Sequence, residues 1–256
     1  MTTMSTVPAA TWPGIPFARL ARAELRKLTD TRASRWLLIA IAAVTPVVLG
    51  VMLVVASPAN LTYSKLIDYS LTPQELVLPA LGILTITSEW TQRTGLTSFT
   101  LVPSRRRVLL AKGTATVSLG LAVIAIAFAA AALANLLGGL RHGNGSWTLG
   151  PSGFGELILV QLSGLLQGLA FGMLLPITAA AIAAYYVLPT LWSLLFTATA
   201  GLKQVDRWID LIKAQSPLYT HQMTGTGWLQ LLTAASIWIL LPLVAGTVRA
   251  LRKEIS

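Results

Sequence analysis

The chain carries few residues able to do chemistry. Two histidines, His142 and His221, nine acids and no cysteine are its stock of metal ligands, activating bases and general acids. Without cysteine there is no disulfide, thiolate metal site or cysteine nucleophile. The two histidines stand far apart in segments that read as loops, where a solvated role outweighs a ligand role. There is no H-E-x-x-H helix and no G-x-S-x-G elbow, so zinc and serine hydrolysis both lack their residues. Lys112-Gly113-Thr114 has the residues of a phosphate-binding loop in the wrong order, with no phosphate-cradling glycine, so ATP is not bound by that route. No enzyme activity is expected of the chain, and no metal or cofactor. Gln161, Gln167 and Asn135 are the most polar side chains within apolar runs. They are able to touch a cargo, although such groups more often bond a neighbouring helix.

The elements that must hold these residues are membrane helices. The chain has 256 residues, 54% of them hydrophobic and 11% charged, where a soluble domain carries about 25% charged. The mean hydropathy is +0.70. Apolar runs of about 20 residues span a bilayer as helices, because lipid offers backbone amides no partners. The expected fold is therefore an all-α membrane protein with six transmembrane helices, at about 36–56, 72–88, 114–137, 157–175, 177–200 and 228–248. The 72–88 run is the least apolar, with Gln74 and Glu75 placed near the interface. Residues 157–200 carry no charge, and one straight helix over them would be about 66 Å long, twice the hydrocarbon thickness. Pro176 is the natural break between two spans, and Pro189 a second kink. No Asp, Glu, Lys or Arg stands out inside a span, which weighs against an ion-coupled transporter.

Between the spans, residues 57–71 read as a short polar loop, 89–113 as a polar, basic loop and 138–155 as a glycine-rich loop. Residues 1–15 are expected to be a disordered tail. The N-terminal 35 residues are too polar for a secretory signal. Residues 16–35 read as an amphipathic interfacial helix, with Phe17, Leu20, Ala21, Leu25 and Leu28 on one face and Arg19, Arg22 and Arg26 opposite. Glu24 interrupts its apolar face and needs a partner. Val205, Trp208, Ile209 and Ile212 recur at helical spacing within 201–227 and suggest a second amphipathic helix. Residues 249–256 form a basic tail.

Charge orients this arrangement. Six spans put the N-terminus, loop 89–113, the turn near 176 and the tail on one side. Fourteen of the nineteen basic residues and four of the nine acids lie there, so that side holds the entire net charge of +10. The positive-inside rule makes it cytoplasmic. The same count supports the 72–88 span, without which loop 89–113 would lie outside. Nucleic acid is not needed to account for the basicity, and membrane lipids suffice.

Gly164, Gly168 and Gly172 recur every four residues and permit close approach of another helix. Packing inside the chain is favoured over a dimer seam. In loop 89–113, Ser104 is placed to cap the helix entering the third span. Leu96 and Phe99, three apart, are able to present a small apolar face to a cytoplasmic partner, while the basic residues suit lipid phosphates.

Ser88-Glu89-Trp90, then Thr94, then Pro103-Ser104-Arg105-Arg106 and Lys112 resemble the sequence after the second span of ABC-2-type permeases, the membrane subunits of bacterial ATP-binding-cassette exporters. Glu24-Leu25-Arg26-Lys27-Leu28, followed by Arg32 and Ser34, resembles that family's surface helix. The six-span layout agrees too, so the resemblance covers about residues 16–250. It implies a bacterial inner-membrane permease with both termini cytoplasmic, paired with a second permease of the same or homologous sequence. It also implies two separate cytoplasmic ATPase subunits that bind the ATP and magnesium. Glu24, Lys27, Glu89, Arg93, Leu96, Phe99, Arg105 and Arg106 would then contact the ATPases. Thr85, Thr87, Thr190 and Thr197, with Gln161 and Gln167, would line the path of an apolar or amphipathic cargo such as a drug, lipid or hydrophobic peptide. The other readings are a membrane anchoring or interaction protein and a secondary transporter.

Overall fold

The apolar runs fold as helices in a computed structural model that describes residues 15–91, 104–141, 143–198 and 203–252. Helix α1 (Phe17–Asp30) is separated from α2 (Arg32–Val55) by Thr31, whose extended backbone (φ −69°, ψ 138°) breaks the path. One 3₁₀ turn (Pro58–Asn60) leads into α3 (Tyr63–Thr91). Then come α4 (Arg105–Gly139), α5 (Pro151–Leu174) and α6 (Thr178–Ala198). Two short helices follow, α7 (Lys203–Ile209) and α8 (Leu211–Tyr219). Helix α9 (Gly225–Ala235) continues through a π turn (Ser236–Leu240) into α10 (Leu241–Arg252). No strand occurs among the described residues.

Five stretches are long and apolar enough to cross a membrane: Arg32–Val55, Arg106–Gly139, Ser152–Leu174, Thr178–Phe196 and Gly225–Arg252. Helix α3 is not among them, because Gln74, Glu75, Pro73 and Pro79 dilute its apolar run. It is instead the centre of the bundle and packs against α2, α4, α5 and α6. Leu66, Ile67, Leu71, Leu78, Leu81 and Ile83 are fully buried on it. A helix enclosed by other helices need not be lipid-soluble itself, which is why hydropathy is a poor measure of its place in the fold.

Contacts at the two ends give the directions of the helices. At one end Tyr63 N donates to Ser146 O (2.9 Å) and Asn144 N to Pro58 O (3.1 Å), joining the end of α2, the start of α3 and the α4–α5 connection. At the other end Thr178 Oγ1 donates to Thr87 Oγ1 (2.9 Å) and Arg249 to Leu174 O (2.7 Å). Helix α3 thus runs the length of the bundle, parallel to α5.

Several expected boundaries move. Residues 63–71 are helical rather than part of a loop, because Leu66, Ile67 and Leu71 supply a buried face to α3. Residues 105–113 extend α4 well before 114, held by Val108 and Ala111 packing on Leu20 of α1. Residues 32–35 belong to α2. Ser104 occupies the N-cap position of α4, but its side chain makes no capping hydrogen bond. The break between α5 and α6 falls at residues 175–177, around Pro176.

The amphipathic stretch near 203–213 is two helices rather than one. Asp210 is extended (φ −82°, ψ 111°), and its side chain accepts from the Ile212 and Lys213 amides at 2.9 and 3.3 Å. That capping starts α8. Asp206 pairs with Lys213 across the break.

Candidate functional site

Two places in the bundle gather the polar residues. The first lies where α1 meets the start of α4. Leu20, Glu24 and Leu28 are the buried residues of α1, at i, i+4 and i+8, so Glu24 sits at the centre of its packed face. Its carboxylate meets Lys112 Nζ through Oε2 at 2.7 Å and Lys27 Nζ through Oε1 at 2.7 Å. Glu24 and Lys112 are 3% and 4% exposed. The partner that Glu24 required is therefore chiefly a lysine on another helix, 88 positions along the chain. Nearby, Arg107 donates to Ile15 O at 2.8 Å. Phe17, expected on the apolar face, is 39% exposed. Arg106 is exposed at the rim of an apolar groove between α4, α5 and α10.

The second place is a lateral cleft of about 290 Å³ between α3, α5, α6 and α8. Glu75, Gln161, Gln167, Tyr185, Tyr186, Gln215 and Tyr219 give it polar walls. Tyr219 donates to Glu75 Oε1 at 2.9 Å, and Gln161 Nε2 reaches the same oxygen at 3.5 Å and Leu71 O at 3.3 Å. Burial, with the Glu75 carboxyl beside it, pushes the Tyr219 phenol well above its usual range, so it keeps its proton and acts as the donor. Tyr186 donates to Leu76 O. The Tyr185 and Tyr186 rings stand nearly perpendicular (82°) with centroids 4.7 Å apart. Gln161 is 3% exposed, yet its Oε1 has no hydrogen-bond partner among the described residues.

The expected path residues divide between cleft and core. Gln161, Gln167 and Thr190 line the cleft, and Thr190 Oγ1 donates to Tyr186 O at 2.8 Å. Thr85 and Thr87 are buried between helices. Thr116 Oγ1 donates to Thr85 Oγ1 at 3.1 Å, and Thr178 to Thr87. Asn135 Nδ2 bonds Gly145 O at 3.4 Å. Arg93, Leu96, Phe99 and His142 lie outside the described residues, as do the side chains of Glu89, Arg105 and Thr197. His221 contacts Glu156 at 2.5 Å through Nδ1.

Gly164, Gly168 and Gly172 face α3. A Cβ on Gly168 would come 2.1 Å from Pro79 O, and one on Gly172 would come 2.9 Å from Ile83 O. A Cβ on Gly82 of α3 would in turn come 2.4 Å from Leu165 O. This backbone contact between α3 and α5 sets the width of the cleft at Gly164, whose added Cβ would meet Pro79 and Tyr185 at 3.5 Å.

Sequence reading missed Glu75 and the three tyrosines as one group. They come from α3, α6 and α8, and no local spacing connects them. The signal that was present is Glu75 itself, an acid at the edge of an apolar run.

Together these features define an all-helical chain with five helices apolar enough to cross a membrane, consistent with a multi-pass membrane protein. No protein-family model matches the chain, and no curated protein matches it in sequence.

Proposed function

We propose that this chain is the permease subunit of an ABC-2-type exporter in a bacterial inner membrane. It spans the membrane six times, with α3 as the second span and both termini in the cytoplasm. Separate ATPase subunits bind and hydrolyse the ATP, and a second permease completes the pore. The cargo is apolar or amphipathic.

One observation carries the reading. Glu24 and Lys112 belong to the two sequence segments that resemble the family, the surface helix and the end of the loop after the second span, and they form one buried ion pair at 2.7 Å. Helix α1 is thereby fastened to the start of α4. A push on α1, or on the segment before α4, would move both and be passed into the bundle. A buried pair of this kind is a poor source of net stability, but it suits a fixed register between two elements that must move together.

The test is copurification in mild detergent. A chain with a Walker A loop is expected to come down with this one. ATPase activity of the pair is expected to fall on Leu96→Ala or Glu89→Ala. Stable isolation with no ATPase in the complex would favour an anchoring or interaction protein. Flux driven by an ion gradient without ATP would favour a secondary transporter.

A further inference from the structure

The polar cleft has an imbalance of donors and acceptors. Both protein donors that reach Glu75, from Tyr219 and Gln161, bond its Oε1, and among the described residues none reaches Oε2. Glu75 forms no ion pair with any described residue. Gln161 Oε1 is a buried acceptor without a partner among the described residues. An acceptor left bare in such a place costs free energy, and a ligand that brings donors and positive charge relieves it. Tyr185 and Tyr186 add two rings at right angles beside the carboxylate, and aromatic faces attract cations, more strongly as water is excluded.

The size and rim of the cleft narrow the ligand further. Its volume of about 290 Å³ is at the lower limit for ligand pockets, about 300–1,000 Å³, so it fits a headgroup and not a whole drug-sized molecule. Of its lining residues, Leu76 and Ile212 are 63% and 58% exposed. The rest of a ligand would leave across apolar surface. An anionic headgroup would meet the Glu75 carboxylate. A neutral alcohol would leave the charge unpaired.

We propose that this cleft binds the headgroup of an amphiphile carrying a protonated primary amine, its ammonium on Glu75 Oε2 and Gln161 Oε1 beside the Tyr185 and Tyr186 rings, and its alkyl chain directed out past Leu76 and Ile212. If the chain is an exporter, this names its cargo class. Binding itself requires neither ATP nor a partner, so the exporter reading and this one fail separately.

The experiment measures binding of dodecylamine, dodecanol and dodecanoate to the purified full chain in phosphatidylcholine nanodiscs by isothermal titration calorimetry, with empty nanodiscs subtracting partition into lipid. Dodecylamine is expected to bind at least tenfold more tightly than dodecanol, and dodecanoate not to bind. Glu75→Gln keeps a side chain of the same shape and loses the charge, so it is expected to erase the preference. Glu156→Gln, which removes a carboxylate outside the cleft, is expected to keep it. Should Glu75→Gln not fold, Tyr186→Leu carries the test, with an expected loss of threefold or more for dodecylamine and no change for dodecanol. Equal binding of amine and alcohol by the wild-type chain, or a preference unchanged in Glu75→Gln (in Tyr186→Leu if that variant stands in), overturns the proposal.

Discussion

Glu24 and Lys112 meet at 2.7 Å between two helices 88 positions apart, and neither side chain reaches solvent. Removing one partner of a buried pair costs about 3–5 kcal/mol. Glu24→Gln is therefore expected to destabilise the chain by that order, because the buried Lys112 and its neighbour Lys27 both lose the Glu24 carboxylate. Replacing Glu24 and Lys112 together by leucine is expected to recover much of the stability while weakening the coupling to the ATPase. Thermal unfolding in detergent reads the first effect and ATPase activity of the complex the second. A double variant as inactive and as unstable as Glu24→Gln would show that the pair does more than fix register.

Gly168→Ala forces a Cβ to within 2.1 Å of a backbone oxygen that no rotamer change can move. Helices α3 and α5 must separate, at about 1–3 kcal/mol for an overpacked contact. Gly50→Ala is the matched control, since nothing lies within 4 Å of its added Cβ. In mid-helix that substitution is expected to stabilise by about 0.5–1 kcal/mol. Opposite shifts of the melting temperature in the two variants are the expected result.

Asp210 starts α8, the helix that carries Tyr219 to Glu75. Asp210→Ala removes the cap and costs about 1 kcal/mol, while Asp210→Asn keeps an acceptor and costs less. If α8 frays, the cleft loses a wall, so dodecylamine binding is expected to weaken in the alanine variant and much less in the asparagine one. Equal binding in both would separate the cap from the cleft.

The chain contains no cysteine, so single cysteines report topology without background. With α3 crossing the membrane, a membrane-impermeant maleimide added to intact cells is expected to label cysteine at Lys65 and Thr220 and not at Arg22 or Arg107. If α3 did not cross, Arg107→Cys would label from the same side as Lys65→Cys. This measurement decides between five and six crossings directly.

Local sequence determined much of this protein, and the physics explains which part. Helical backbone in the apolar runs follows from the need to satisfy amides without water. The α5–α6 break follows from an uncharged run too long for one span and falls around Pro176, and the glycine stripe on α5 follows from its four-residue repeat. The need of Glu24 for a partner could be read from its place on an apolar face. Tertiary structure alone decided the rest. Lys112 as that partner, Gly82 opposite Gly168, and the meeting of Glu75 with Tyr185, Tyr186 and Tyr219 all depend on which helices lie side by side. Packing decided too that α3, the least apolar of the long helices, belongs at the centre. A hydropathy sum measures how a helix partitions into lipid, and α3 is surrounded by protein.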